Sequence, residues 1–130
     1  MTAIPPDSAC PCGSALTYAA CCGCYHGGIA APDAEALMRS RYTAYVLKLE
    51  AYLLDTWHPR TRPAVLDLAT DGSKWLGLEV KKHLIESDSR ATVEFVARYK
   101  IGGRAYRLHE VSHFVREEGR WFYVEGDYQN

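Results

Sequence analysis

Apolar side chains recur at helical spacing over residues 33–49, the clearest periodic pattern in the first half of the chain. They lie three or four positions apart, on one face of a helix: Met38, Tyr42, Tyr45 and Leu49. Asp33 has the side chain of a helix N-cap, and Glu35 adds a negative charge where a helix favours one. The pattern predicts a main helix over this stretch, a short second helix or turn at 51–56 and a third short helix at 64–69.

The second half of the chain alternates between apolar and polar residues, as β-strands do. Along residues 91–100, Val93, Phe95, Ala97 and Tyr99 share one face. Turn residues separate four such runs, at 75–86, 91–100, 104–116 and 120–126. Helices followed by a meander of long strands predict an α+β domain in which a curved, four-stranded antiparallel sheet wraps the helices.

The third predicted strand carries polar groups on its apolar face. Glu110 and Ser112 alternate with large apolar residues, Tyr106, Leu108 and Phe114. A buried carboxylate is costly unless it is paired. Glu110 either forms a structural ion pair with Arg39 or Arg41 of the main helix, or belongs to a pocket inside the fold. In the second case it acts as an acid, a base or a ligand-binding group, and the candidate lining is Arg41, Trp57, Glu110 and Ser112.

All five cysteines lie between residues 10 and 24, and four of them form a metal-ligand pattern. These four are Cys10, Cys12, Cys21 and Cys22, with the spacing C-x-C-x8-C-C. Thiolates of this kind suit tetrahedral Zn²⁺. The alternative is a disulfide framework, but an odd count in one cluster argues against it. Cys24 or His26 can replace Cys22 as a ligand, so the set stays open at this point.

Composition and charge exclude several classes of function. The chain has 130 residues, 48% of them hydrophobic, enough for one domain with a core, and a formal net charge of -1. This balance gives no reason to expect a nucleic acid or a membrane surface as partner. The first residues contain neither a basic region nor an apolar run, and no stretch is long enough to span a bilayer. We therefore expect a cytoplasmic protein.

The segment Cys10-Pro11-Cys12-Gly13-Ser14, followed by Cys21-Cys22, resembles the SEC-C motif, which also occurs in the protein-export ATPase SecA. The resemblance implies a zinc-binding segment with Cys10, Cys12, Cys21 and Cys22 as ligands. The sequence departs from the motif at Ala15, where a glycine is usual, and it lacks the basic residues common at 16–20. A partner surface that depends on those basic residues is therefore in doubt.

A second resemblance covers nearly the whole chain. Residues 34–45, 93–95, 108–114 and 119–123, together with the cysteine segment, resemble the YchJ-type (UPF0225) bacterial family. The resemblance implies an NTF2-like, cystatin-like cone of helices and curved sheet. The expected division is a SEC-C segment at 1–28 and an NTF2-like domain at 29–130.

Two functions of different classes follow from these observations. The first is a protein-interaction module in which a structural zinc ion holds the segment and the segment binds a protein partner. The second is a small-molecule binder or an enzyme working in the cone. The resemblance to NTF2-like sheets also leads us to expect a monomer or a homodimer. The environment of Glu110 distinguishes the two functions, because a fully paired carboxylate with no cavity beside it would remove the main support for the second.

Overall fold

Four antiparallel strands form one sheet in chain order. The computed structural model describes residues 4–68 and 72–129. Its strands are β1 (Lys74–Ser87), β2 (Arg90–Ile101), β3 (Arg104–Glu117) and β4 (Arg120–Tyr128). Register shifts interrupt the β1–β2 and β3–β4 ladders, including one between His113 and Phe114. Such irregularities bend strands, so the predicted curved meander is confirmed.

Three α-helices are described, and they precede the sheet. They are α1 (Cys22–His26), α2 (Ala34–Leu47) and α3 (Glu50–Asp55). The Asp33 side chain accepts a 2.7 Å hydrogen bond from the Ala36 amide, so the predicted N-cap is confirmed. Helix α2 ends at Leu47, two residues earlier than expected, because Lys48 adopts a left-handed conformation (φ 59°). No described helix is long and apolar enough to cross a membrane.

The core lies between α2 and the inner face of the sheet. Helix α2 contributes Leu37 and Met38, and the sheet contributes Val93, Phe95 and Phe114, all at most 6% exposed. Each fully buried side chain of this size stabilises the fold by about 1.5 to 3 kcal/mol. We call the folded unit formed by α2, α3 and the four-stranded sheet the cone.

The cysteine segment packs onto the cone and shares its core. Cys10, Cys12 and Cys22 belong to the same buried cluster as Met38 and Phe95. We expected this segment to be mostly loop, but it contains the one-turn helix α1 and a bridge between Ala9 and Thr17. The predicted helix at 64–69 is not seen over 64–67, and Ala69 lies outside the described residues.

Candidate functional site

The four cysteines of the predicted metal pattern converge on one point. Their sulfur atoms all lie within 4.8 Å of one another, and Cys12 Sγ is 3.6 Å from Cys21 Sγ. Four sulfurs around a zinc ion with bonds of about 2.3 Å stand about 3.8 Å apart, so this spacing fits one ion. Cys12 and Cys22 are fully buried and Cys10 is 5% exposed. The described part of the chain therefore contains a compact thiol cluster that can hold a metal ion.

Local backbone geometry explains how neighbouring cysteines face the same point. Gly13 adopts φ +80° and donates its amide to the Cys10 carbonyl, closing a tight turn around the first pair. In the second pair Cys21 is non-helical whereas Cys22 begins α1, so the chain turns between them. The next residue is Gly23, and a glycine fits there because the Tyr18 carbonyl oxygen lies 2.6 Å from the position that a Cβ would take. A side chain at this position would displace the turn.

Hydroxyl groups surround the sulfur atoms, and one of them comes from the cone. Thr43 Oγ1 of α2 donates to Cys22 Sγ at 3.3 Å and lies 3.8 Å from Cys10 Sγ. Ser14 Oγ donates to Cys21 Sγ at 3.1 Å. Donors of this kind orient metal ligands and stabilise their negative charge. The thiol cluster is therefore completed by the long helix.

The cluster also favours ionisation at one of its members. A hydrogen bond from the Cys22 thiol is the largest effect lowering the pKa of Cys12, to about 4, and the same bond raises the pKa of Cys22. Burial by itself raises the pKa of Cys12, but the side-chain hydrogen bonds that lower this pKa outweigh it. A thiolate is the form that binds a metal. The cluster therefore favours the thiolate form at Cys12.

Cys24 and His26, the alternative ligands, are engaged elsewhere. Cys24 Sγ donates to the Ala19 carbonyl at 3.1 Å. The His26 ring lies 2.6 Å from the Tyr18 hydroxyl through Nδ1 and 2.8 Å from the Ser40 carbonyl through Nε2. Burial lowers the pKa of His26, so the ring is held neutral between these partners. These contacts make His26 a link between the segment and α2. The ligand set itself stays a prediction.

A cavity of about 290 Å³ occupies the cone, and all four predicted pocket residues line it. Arg41 reaches it from α2, Trp57 from the chain after α3, and Glu110 and Ser112 from β3. Aromatic rings make up much of the remaining wall: Tyr42, Tyr45, Trp75, Phe95, Phe114, Tyr123 and Tyr128. The structure thus brings the four predicted residues together, while their role in binding stays a prediction.

Arg41 is 5% exposed and is held by neutral groups. Its Nη1 donates to the Leu53 carbonyl at 2.8 Å and to Thr56 Oγ1 at 2.7 Å. Its guanidinium carbon lies 5.1 Å from the centre of the Trp57 ring and 4.6 Å from that of Tyr123. Burial lowers the pKa of Arg41, but a guanidinium keeps its proton at neutral pH. A positive charge therefore faces the cavity.

Glu110 is 8% exposed and forms no ion pair in the described part of the chain, so the ion-pair interpretation is wrong. Arg39 instead binds Glu35 and the Cys12 carbonyl, and Arg41 is turned toward the end of α3. Glu110 Oε2 accepts a 2.5 Å hydrogen bond from the Ser112 hydroxyl. The carboxylate lies against Gly126 of β4, where a Cβ would overlap it. Glu110 is therefore a fixed, buried acid beside a cavity.

Comparisons with known proteins bear on both sites. The model of the "YchJ, middle NTF2-like domain" family matches residues 33–126, and that of the SEC-C motif matches residues 8–23. A UPF0225 protein of Bordetella parapertussis is 56% identical, over 95% of this chain and 96% of its own length. The chain belongs to the UPF0225 family. A UPF0225 protein of Ralstonia nicotianae is 54% identical over 94% of this chain and 92% of its own length.

Two solved structures resemble the UPF0225 fold seen here over most of its length. A SEC-C motif containing protein from Rhodopseudomonas palustris is 40% identical, with a TM-score of 0.82, covering 93% of this chain and 98% of that one. A SEC-C motif containing protein from Psychrobacter arcticus is 30% identical, with a TM-score of 0.79, covering 96% of this chain and 85% of that one. The NTF2-like cone and its N-terminal SEC-C segment are thus the shared architecture.

Sequence reasoning missed several residues of the UPF0225 cone. The sequence pattern places Tyr42 and Tyr45 on the apolar face of the main helix and does not single out Trp75 or Tyr123, yet all four line the cavity. Burial is the largest effect raising the pKa of Tyr123, and the Glu110 charge adds to it. For Tyr42 and Tyr45, the signal that could have found them is their position within four residues of Arg41 on α2. The Trp57 Nε1 atom is buried without a hydrogen-bond partner.

Proposed function

We propose that this protein binds a small molecule inside the cone, and that the cysteine segment is a zinc-stabilised part of the same folded unit. One observation carries the proposal. Arg41 and Glu110 are buried beside one cavity, carry opposite charges and do not pair with each other. Buried charges that form no ion pair reduce stability, and they are concentrated at binding and catalytic sites.

The cavity suits a ligand smaller than a typical drug. Its volume of about 290 Å³ lies near the lower end of small-molecule sites. Tyr42, Trp75 and Phe95 supply apolar wall, while Arg41 and Glu110 supply the polar groups that fix orientation. A mostly aromatic wall with few polar groups is the usual composition of such a site.

We assign the metal as zinc, held by Cys10, Cys12, Cys21 and Cys22. Four sulfur ligands favour zinc over hard cations such as Mg²⁺ and Ca²⁺. Four thiolates fill a tetrahedral shell and leave no position for water, so zinc here would stabilise the segment without taking part in a reaction. Reduced thiols persist in the cytoplasm, which we propose as the location of the protein.

Native mass spectrometry of the full chain, purified without chelator, tests this function. We expect a single zinc ion per chain and a retained small molecule that is lost in Glu110→Gln but not in Glu94→Gln. Glu94 is a matched control because its carboxylate pairs with His109 at 2.7 Å, away from the cavity-lining residues. Zinc-loaded protein that retains no molecule, and that binds none in titration, would contradict the proposal. The same spectra report whether the protein is a monomer or a homodimer.

A second candidate function is protein interaction through the segment. Leu16 favours it, because this side chain is 52% exposed between the two cysteine pairs. An apolar group held outward by a metal-bound turn can contact a partner. Leu16→Ser should then abolish a cross-linked complex while leaving zinc content unchanged. Val65→Ser is the control, since Val65 is 64% exposed and lies outside the segment. Equal loss of the complex in both variants would contradict this role.

A further inference from the structure

The side chains around the cavity define a chemical class of ligand. We propose that the ligand carries an acidic group, a basic nitrogen and a flat apolar body, as an aromatic amino acid does. This inference rests on the small-molecule function proposed above and adds the identity of the groups that are recognised. It follows from three features of the wall: a cation, an anion and a set of aromatic rings.

Arg41 is the binding group for the acid. Both hydrogen bonds from Nη1 go to neutral oxygens, the Leu53 carbonyl and Thr56 Oγ1, so they orient the guanidinium without neutralising it. Trp57 and Tyr123 hold its position through their ring faces. An oriented guanidinium that has no ion-pair partner among the described residues binds a carboxylate through parallel hydrogen bonds.

Glu110 is the binding group for the nitrogen. It lies on β3 of the cavity wall, whereas Arg41 lies on α2. Ser112 donates to Oε2, and no described residue hydrogen-bonds to Oε1. Contact with Gly126 prevents the carboxylate from withdrawing toward β4. An ammonium group or a protonated ring nitrogen would give Oε1 the charged donor that the protein does not supply.

The aromatic wall selects the body of the ligand. Rings of Tyr42, Trp75 and Phe95 face the cavity, and Tyr42 and Trp75 meet edge to face with centroids 5.8 Å apart. Flat, unsaturated groups gain offset and edge contacts with such rings beyond simple area burial. A volume of about 290 Å³ limits the body to about one ring.

Charge balance makes both polar groups necessary. A ligand with an acid alone leaves Glu110 buried and unpaired, and one with an amine alone leaves Arg41 in that state. Truncating one partner of a buried charged contact costs affinity because the other partner remains desolvated. A ligand with both groups pairs each charge, so it should bind at least about tenfold more tightly than an analogue lacking either.

Three matched probes test the class by calorimetric and NMR titration of the zinc-loaded full chain: L-phenylalanine, 3-phenylpropionate, which lacks the amine, and 2-phenylethylamine, which lacks the acid. We expect L-phenylalanine to bind at least about tenfold more tightly than either analogue. In Glu110→Gln its advantage over 3-phenylpropionate should disappear, whereas Glu94→Gln should keep it. We test Glu110→Gln and not a substitution of Arg41, because the contacts of Arg41 with Leu53 and Thr56 also hold the fold.

The outcomes separate this inference from the function on which it rests. If 3-phenylpropionate binds as tightly as L-phenylalanine, or no probe binds at millimolar concentration, the ligand class is wrong. A retained molecule without an acid or without a basic nitrogen also overturns the class but leaves small-molecule binding in place. If no molecule is retained and no probe binds, both fail.

Discussion

The cysteine segment and the cone are stabilised in different ways. In the segment the only described strand-like contact is the bridge between Ala9 and Thr17, and its helix α1 has a single turn. The cone has strands of nine to fourteen residues with long ladders and a fully buried Phe114. Apart from the buried cluster that it shares with the cone, the segment has little regular structure of its own, so in our proposal a bound metal ion supplies much of its stability.

Beside the apolar core that the two regions share, several hydrogen bonds cross their boundary and converge on helix α2. Thr43 donates to Cys22, Arg39 donates to the Cys12 carbonyl at 2.9 Å, and the Ser40 carbonyl contacts His26. Helix α2 therefore serves the segment with one face and the cavity, through Arg41, with another. Loss of the metal should therefore release the segment while leaving the sheet folded.

Cys10→Ser should have the largest effect, and Cys21→Ser should match it. Losing one of four thiolates removes most of the metal-binding free energy, which is about 10 to 16 kcal/mol in small zinc modules. We expect zinc content near zero, and NMR signals of residues 8–26 collapsing to unfolded positions while those of β2 and β3 stay dispersed.

Cys24→Ser is the control for the cysteine variants. Its sulfur contacts the Ala19 carbonyl and lies outside the four-sulfur cluster, so zinc content should stay unchanged. Full zinc content in Cys10→Ser and Cys21→Ser would instead show that the ligand assignment is wrong. Loss of the sheet signals in either variant would show that the two regions unfold together.

Gly126→Ala should destabilise the cone and leave the segment alone. The new methyl group would overlap the Glu110 carboxylate, and overpacking of this kind costs about 1 to 3 kcal/mol. Urea unfolding measures the loss, and adding Glu110→Ala should recover part of it. Gly77→Ala is the matched control in β1, because no described residue apart from its two chain neighbours comes within 4 Å of the added Cβ. Equal costs at the two glycines would show that Glu110 does not lie against β4.

Alkaline pH should also weaken the cone. Burial raises the pKa of Tyr42 to about 12, against about 10 in an unfolded chain. Stability from this group is complete below about pH 10 and is lost as the pH rises toward 12, because the unfolded state releases its proton first. The loss is about 2 to 3 kcal/mol at most. The free energy of unfolding should decrease less between pH 9 and pH 11.5 in Tyr42→Phe than in the wild-type protein. Equal decreases in the two proteins would show that Tyr42 is not the cause.

Thr43→Val should give the smallest change, confined to the metal. The substitution keeps the shape of the side chain and removes the hydroxyl that donates to Cys22 Sγ. Outer-shell changes of this kind weaken metal binding about 10- to 100-fold. Competition with a chromophoric chelator measures the affinity, and Thr92→Val on β2 should leave it unchanged. Unaltered affinity in Thr43→Val would mean that the cone does not contribute to the metal site.

The sequence predicted the elements whose pattern is local. Asp33 marks the start of α2, and alternation from Val93 to Ala97 marks the inner face of β2. Glu110 stood out because a carboxylate interrupted an apolar face, and it does lie beside the cavity. Such features depend on neighbours in the chain, so one sequence is enough to reveal them.

What the sequence could not predict depends on how distant elements are oriented. The direction of the Arg41 guanidinium is set by the carbonyl of Leu53 at the end of α3, so an expected pairing with Glu110 does not form. The contact between Glu110 and Gly126 joins β3 and β4 diagonally, because Gly126 lies opposite Ser112. The end of α2 depends on a left-handed conformation at Lys48. The sequence does not indicate this conformation, because the residue is not a glycine.

Hydrogen exchange of the full chain, measured before and after a chelator removes zinc, reports which region the metal stabilises. We expect the amides of residues 8–26 to lose their protection, while those of Val93, Phe95 and Phe114 keep theirs. Protection lost throughout β2 and β3, or retained throughout the segment, would contradict the claim that metal stabilises one region and the core the other.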